Sequence, residues 1–305
     1  MMSIPTISSY PMPTADTFPN QKVNWVLEPK RAVFLIHDMQ AYFLRFYDVE
    51  SDLIKALKQN LASIKAYCRA NGIPVVYTAQ PKDQKPEDRA LLNDMWGSGL
   101  NDFPELQKVI DELSPDEDDT VLVKWRYSAF HRSNLQELMQ SWGRDQLIIG
   151  GIYAHIGCMI TATDAFMRDI QPFMVGDALA DFSEAEHRQA LTFTGGRTGR
   201  VISTRDVLIA TDVSGISLQY EQLKAQVFAF LDDEDIEEFD ANEELIDYGL
   251  DSIQIMSLVS QWKNQGLDVS FQELANASTL NGWWDLIQTK LTQGQSSDLI
   301  RAETV

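Results

Sequence analysis

The stretch RAVFLIHD, Arg31–Asp38, runs five apolar residues into a histidine and an aspartate. A continuous apolar run this short suits a strand buried on both faces. Helical spacing follows over Asp52–Asn71, closed by Gly72. IPVVYTAQ (Ile73–Gln80), TVLVKW (Thr120–Trp125), LIIGGIY (Leu147–Tyr153), PFMVGDA (Pro172–Ala178) and RVIST (Arg200–Thr204) continue the strand series. Helical segments near Cys158–Arg168 and Ser183–Phe193 fall between the later strands. This alternation predicts an α/β fold, a largely parallel sheet with helices on both faces. Upstream, residues 1–29 carry Pro5, Pro11, Pro13, Pro19 and Pro29 and read as an irregular arm, with the fold starting after it.

The chain has 305 residues, more than one typical domain, and a formal net charge of −20. Hydrophobic residues make up 44%, enough for a real core, which excludes wholesale disorder. A polyanion repels phosphate backbones and anionic lipid, so nucleic-acid and membrane binding are disfavoured and partners with basic faces are favoured. The charge is concentrated: Asp232–Asp251 holds 11 carboxylates and no Lys or Arg. Residues 221–292 are net −12, while residues 1–220 are net −7. Such a step marks a domain boundary. Beyond it, LKAQVFAFL, ELIDYGLDSIQIMSLVSQW and FQELANASTLNGWWDLI read as three or four short helices with apolar faces. They form a helical bundle of about 75 residues, near the lower size for independent folding. The expected organisation is an α/β domain at 1–211, a linker at 212–220, a helical domain at 221–292 and a frayed tail at 293–305. Two cysteines, Cys68 and Cys158, are no disulfide framework and fit a reducing compartment. With no signal-peptide pattern and no long apolar run, the expectation is a soluble, cytoplasmic protein.

In a parallel α/β sheet, sites form beyond the carboxyl ends of the strands. Those ends carry Asp38, Gln80, Lys124 and Tyr153, four polar residues from four strands. Each also has a plain alternative: Asp38 as a helix cap, Lys124 as a solvated lysine, Tyr153 as a half-buried ring.

The segments LIHDMQAYF, VVYTAQP, DRALLNDMWG, LVKWRYSAF, GGIYAHIGCMITATDAFMRDI and ALADFS, within about residues 25–210, resemble the isochorismatase-like (cysteine hydrolase) superfamily. Segment by segment they are similar to the true isochorismatases of catechol siderophore biosynthesis. The amidohydrolases of the superfamily use an Asp, a Lys and a Cys nucleophile. Aligned with that pattern, GIYAHIGCMITA puts Gly157 at the nucleophile position and Cys158 one residue late, a helical rotation of about 100°. Cys158 is therefore expected to be a small buried thiol. The resemblance implies hydrolysis of the enolpyruvyl ether of isochorismate without a covalent nucleophile. Asp38 would be the general acid, while Lys124, Gln80, Arg89 and Tyr153 orient or neutralise a dicarboxylate substrate. A cysteine amidohydrolase using Cys158 is the competing enzyme reading, and a carrier fused to an inactive scaffold is the competing non-enzyme reading. No Asp-x-His pair or close His pair occurs, so no metal site is expected. His37 precedes Asp38 on the strand and alternation places it on the opposite side, so the histidines are read as structural.

Gly249–Ser252 (GLDS) resembles the G-x-D-S signature of acyl, aryl and peptidyl carrier proteins. The resemblance implies 4′-phosphopantetheine attached to Ser252, with Gly249 permitting the tight loop; the plain alternative is that Asp251 or Ser252 is only a helix cap. Ile253 and Met256 share a helix face, and Phe271 and Ala275 share the next. Met256 and Phe271 are held as partner contacts or core, and Ile253 as core. The whole resembles bifunctional isochorismatase/aryl carrier proteins. That implies as partners a 2,3-dihydroxybenzoate adenylating enzyme, a phosphopantetheinyl transferase and a siderophore condensation synthetase, with homo-oligomerisation through the hydrolase domain.

Overall fold

A computed structural model describes residues 4–211, 220–231, 239–264 and 267–290. The expected linker, apart from Tyr220, the acidic residues 232–238 and the expected tail lie outside the described residues. The chain divides into two compact units, Met1–Ala210 and Thr211–Val305.

The first unit is built on six strands: β1 (Ala32–His37), β2 (Val75–Ala79), β3 (Thr120–Val123), β4 (Gln146–Ile152), β5 (Gln171–Ala180) and β6 (Arg200–Ile202). All pairings are parallel, in the order β3-β2-β1-β4-β5-β6. Every residue of β1 and β4 is buried, as their unbroken apolar runs require of central strands covered on both faces. Side chains alternate across the sheet. Phe34 and Ile36 join the core under helix Asp52–Ala70, while Val33 and Leu35 join the core under helices Met159–Phe166 and Glu184–Phe193. The Asp52–Ala70 helix buries Leu53, Ile54, Leu57, Leu61, Ile64 and Cys68, a stripe at three- and four-residue spacing. Its N-terminus is capped by the Ser51 hydroxyl, which accepts from the Ile54 amide.

The N-terminal arm is irregular, as expected, but it is part of the fold rather than an extension before it. Ile4, Ile7 and Leu27 belong to the main core. The Ile7 amide donates to the Phe46 carbonyl at 2.7 Å, and the Phe18 ring packs where a Cβ on Gly176 would stand 2.6 Å away. The Tyr10 hydroxyl accepts from the Asp181 amide at 2.7 Å and bonds His187 Nδ1 at 3.1 Å. These apolar contacts follow no helix or strand period, so periodicity does not reveal them.

In the second unit, helices Tyr220–Phe228, Ser252–Asn264, Phe271–Asn276 and 280–290 surround a core that includes Leu223, Val227, Leu258, Trp262, Leu274, Trp283 and Ile287. Trp262 and Trp283 meet edge to face at 5.9 Å, and their indole N–H groups donate to Gln226 Oε1 and the Leu274 carbonyl. Among the described residues no helix is long and apolar enough to cross a membrane.

Candidate functional site

β1 and β4 are sheet neighbours separated widely in sequence, and the chain winds outward from them in opposite directions. A crevice opens at the carboxyl ends of strands at such a reversal. Here it is an open cavity enclosing about 570 Å³ of space, its solvent-filled mouth included. All six hydrolase-site residues expected from the sequence line it: Asp38, Gln80, Arg89, Lys124, Tyr153 and Gly157. Asp38, Gln80, Lys124 and Tyr153 each stand one residue beyond the end of a strand.

Asp38 is buried and leaves β1 at φ +50, a left-handed conformation that costs a non-glycine residue on the order of 1 kcal/mol. One carboxylate oxygen accepts from the Thr78 hydroxyl at 2.7 Å and the other from Lys124 Nζ at 2.8 Å. Burial pushes the Asp38 carboxyl up, but the neighbouring His37 ring, the Lys124 ammonium and the hydrogen bonds from Lys124 and Thr78 outweigh it and hold it below its ordinary value. The placement of His37 corrects the alternation argument. Asp38 lies past the last paired residue of β1 and turns back, so its Oδ2 sits 3.6 Å from His37 Nδ1. Burial lowers His37 to about 4, which leaves it neutral.

Arg89 is buried, yet its guanidinium meets only neutral acceptors, the Gly97 carbonyl at 2.6 Å and Gln84 Oε1 at 3.1 Å. Burial lowers its pKa, and no carboxylate pairs with it among the described residues. A buried cation held this way is ready for an anion. The Gln40 side chain pins the Gln80 backbone from both sides, with Gln40 Nε2 donating to the Gln80 carbonyl and Oε1 accepting from its amide. Tyr153 donates its hydroxyl to the Phe43 carbonyl and packs its ring 4.5 Å from Phe182, so it serves chiefly as an aromatic wall. Burial pushes its phenol well above the ordinary value.

Sequence reasoning missed several lining residues. Arg126, half-buried, adds a second guanidinium, held by the Asp88 and Trp125 carbonyls. Trp96, Tyr127 and Phe182 form an aromatic side, with Trp96 Nε1 donating to the Tyr127 hydroxyl. Ile4 reaches the cavity from the arm. Arg126 lies two residues past Lys124, and that proximity was its only sequence signal; Ile4 had none.

The segment after β4 is a π-helical turn, Ala154–Cys158, rather than the start of an α-helix. It leaves Gly157 on the cavity wall and sends Cys158 into the core beside Leu35 and Ala162. Burial pushes the Cys158 thiol well above its ordinary value. It is buried and inert, which counts against the cysteine amidohydrolase reading.

Three potential metal ligands do converge among the described residues: His155, Asp181 and Glu186. The fold, not the spacing, brings them together. The buried Asp181 is already engaged, accepting from the His155 ring and amide at 2.6 Å each and from the Phe182 amide at 2.8 Å.

In the second unit, Asp251 caps helix Ser252–Asn264: its Oδ1 accepts from the Ile253 and Gln254 amides at 2.8 Å each, and the Asp251 amide donates to Gln254 Oε1 at 2.7 Å. Ser252 therefore has no capping duty. Its side chain is exposed, and its hydroxyl enters no hydrogen bond among the described residues. Gly249 sits at φ +83 with nothing near a Cβ, so conformation alone calls for glycine. In this unit Ile253 is 78% exposed, Met256 61% and Phe271 37%. Ile253 is thus surface, not core: the helix buries Leu258, Val259 and Trp262, and Ile253 falls on the other side.

An Isochorismatase domain model matches residues 32–206, and a Phosphopantetheine attachment site model matches residues 224–287. The chain is 51% identical over 290 residues to Enterobactin synthase component B of Escherichia coli (strain K12), covering 95% of this chain and 100% of that one. It is 48% identical over 305 residues to Isochorismatase of Bacillus subtilis (strain 168), covering 96% and 97%. A solved cysteine hydrolase from Pseudomonas syringae pv. phaseolicola 1448A shares the fold of the first unit, with a TM-score of 0.54 and 22% identity over 62% of this chain and 95% of that one. With its first unit matched across the sheet and its relatives aligned from end to end, the chain belongs to the isochorismatase family and carries a phosphopantetheine-attachment domain after the hydrolase domain.

Proposed function

We propose that the first unit, residues 1–211, hydrolyses the enolpyruvyl ether of isochorismate to 2,3-dihydro-2,3-dihydroxybenzoate and pyruvate. The second, residues 221–292, carries 2,3-dihydroxybenzoate as a phosphopantetheine thioester for assembly of a catechol siderophore. The observation that carries the first half is the Asp38–Lys124 pair in a cavity with two guanidiniums and only Gly157 at the expected nucleophile position. Such a site can move a proton and hold anions, but it has no thiol to acylate.

Asp38 is ionised in the free chain, so it must gain its proton when substrate binds. Two substrate carboxylates placed near Arg89, Arg126 and Lys124 offset the positive charge that keeps Asp38 ionised, and its pKa rises. The protonated carboxyl then donates to the methylene carbon. The C=C pair forms the new C–H bond, and the positive charge is shared by the ether carbon and oxygen. Water adds to that carbon and loses a proton, and the hemiketal collapses by cleavage of the C–O bond to pyruvate and the ring alcohol. Tyr153, Phe182 and Trp96 wall the reacting centre, and Gln80 orients the substrate. Asp38→Asn and Cys158→Ala are the decisive pair in a coupled pyruvate assay. Asp38→Asn should be inactive while folded and Cys158→Ala active; the reverse pattern defeats this reading.

For the second unit, the free hydroxyl of Ser252 and the capping role of Asp251 support Ser252 as the attachment point. Bound to Ser252, 4′-phosphopantetheine would supply the terminal thiol that an aryl thioester requires. Ile253, Met256 and Phe271 form the exposed apolar contact for the enzymes that load and unload it: a phosphopantetheinyl transferase, a dihydroxybenzoate adenylating enzyme and a siderophore condensation synthetase.

A further inference from the structure

His37 is fully buried, and the mechanism above gives it no part. Its backbone is in register with Gly151 of β4, where a Cβ would stand 2.2 Å from the His37 carbonyl oxygen. Its Nδ1 lies 2.7 Å from the Ile152 carbonyl oxygen, which can only accept, so Nδ1 carries the hydrogen. The same ring reaches the turn holding Gly157. A Cβ there would stand 2.1 Å from Cε1, 2.8 Å from Nε2 and 3.0 Å from Nδ1, so its three nearest atoms all belong to His37. Unlike Gly151, at φ +117, Gly157 does not occupy the left-handed region, so its backbone would accept any residue. The imidazole is therefore the nearest obstacle to a side chain at 157.

We propose that His37 is a positioning residue: its imidazole fills the volume that a side chain at 157 would need and braces the Asp38 carboxyl beside Lys124. The nucleophile-free character of the pocket is then enforced from β1, and the sizes of residues 37 and 157 are coupled. The inference rests on the reading that Asp38 and Lys124 perform the chemistry.

The test is a double-mutant cycle of Gly157→Ala and His37→Ala, with kcat and KM for pyruvate release from isochorismate and thermal melting as an independent readout. Gly157→Ala should lose about 30-fold or more in kcat, as expected when a contact over-packs a catalytic pocket. His37→Ala should lower kcat about tenfold with KM little changed, because only the placement of the acid is disturbed. The loss in the double variant should be smaller than the product of the two single losses by at least about fivefold, the coupling expected of residues in contact. The double variant should also melt above Gly157→Ala. If Gly157→Ala does not fold, recovery of folded protein in the double variant supports the inference and continued failure overturns it. A fully active Gly157→Ala, or an additive cycle, also overturns it. Asp38→Asn run alongside separates the two readings: if it is inactive while the cycle is additive, only the role of His37 falls, whereas an active Asp38→Asn removes the functional reading beneath it.

Discussion

Lys124 Nζ lies 2.8 Å from Asp38 Oδ2, with both side chains buried and the two residues 86 apart in sequence. This contact sets the resting protonation of the site, because a buried ammonium at that distance favours the carboxylate. On the proposed mechanism, the protonated form of Asp38 is therefore scarce before substrate arrives.

A pH signature follows. Asp38 is held below its ordinary value, so its protonated fraction in the free chain falls tenfold per pH unit across the neutral range. Log(kcat/KM), which reports the free enzyme, should decline with pH at a slope of about −1 between pH 5 and 8. Log kcat should stay level until the pH passes the raised value in the complex. Steady-state kinetics in a constant-ionic-strength buffer series measures both, and a kcat/KM that is flat over this range would exclude reverse protonation.

Lys124→Met removes one member of the buried pair. The variant should lose roughly 3 kcal/mol in urea unfolding at pH 8, since breaking such a pair strands a charge. Lowering the pH should narrow that loss, because burial without the ammonium raises the Asp38 pKa and protonation relieves the stranded charge. A loss that does not shrink with acidity would contradict the geometry.

Anion recognition is assigned to Arg89, held by Gly97 and Gln84. Arg89→Lys should raise KM by about 100-fold with a smaller effect on kcat, because an ammonium cannot reproduce the bidentate fork. Gly99→Ala should act in the same direction, since its Cβ would stand 2.4 Å from Arg89 Nη2. Equal KM values in wild type and Arg89→Lys would place substrate carboxylate binding elsewhere.

Ser252→Ala should block the mass increment seen on incubation with coenzyme A and a phosphopantetheinyl transferase, leaving pyruvate release unchanged. Asp251→Ala should destabilise the second unit by about 1 kcal/mol, the value of a lost N-cap. Intact-mass spectrometry and separate melting of the two units check both expectations. A full increment in Ser252→Ala would refute the attachment site.

Much of this was legible along the chain. The unbroken apolar runs of β1 and β4, the helical stripe from Leu53 to Cys68, and polar residues closing four apolar runs are local signals, and parallel topology places strand ends on one edge. The one-residue offset between Gly157 and Cys158 was equally readable, although the turn proved π-helical. The proposal of Ser252 rests on its motif. The rest depends on where distant segments meet. Ile4 and Phe182 reach the cavity through packing that obeys no period, and His155, Asp181 and Glu186 meet only after folding. Ile253 looked like core because an apolar residue on a short helix has no marker of which face is covered, and the neighbours of Trp262 decided it. Asp38 and His37 lie on the same side because Asp38 sits past the strand at φ +50, where alternation no longer holds. Sequence by itself thus determined the sheet, the bundle and the chemical types at the strand ends, because short-range periodicity encodes burial. Tertiary structure alone decided which charge faces which and why position 157 has no room for a side chain, because those depend on distances between segments that the chain order does not contain.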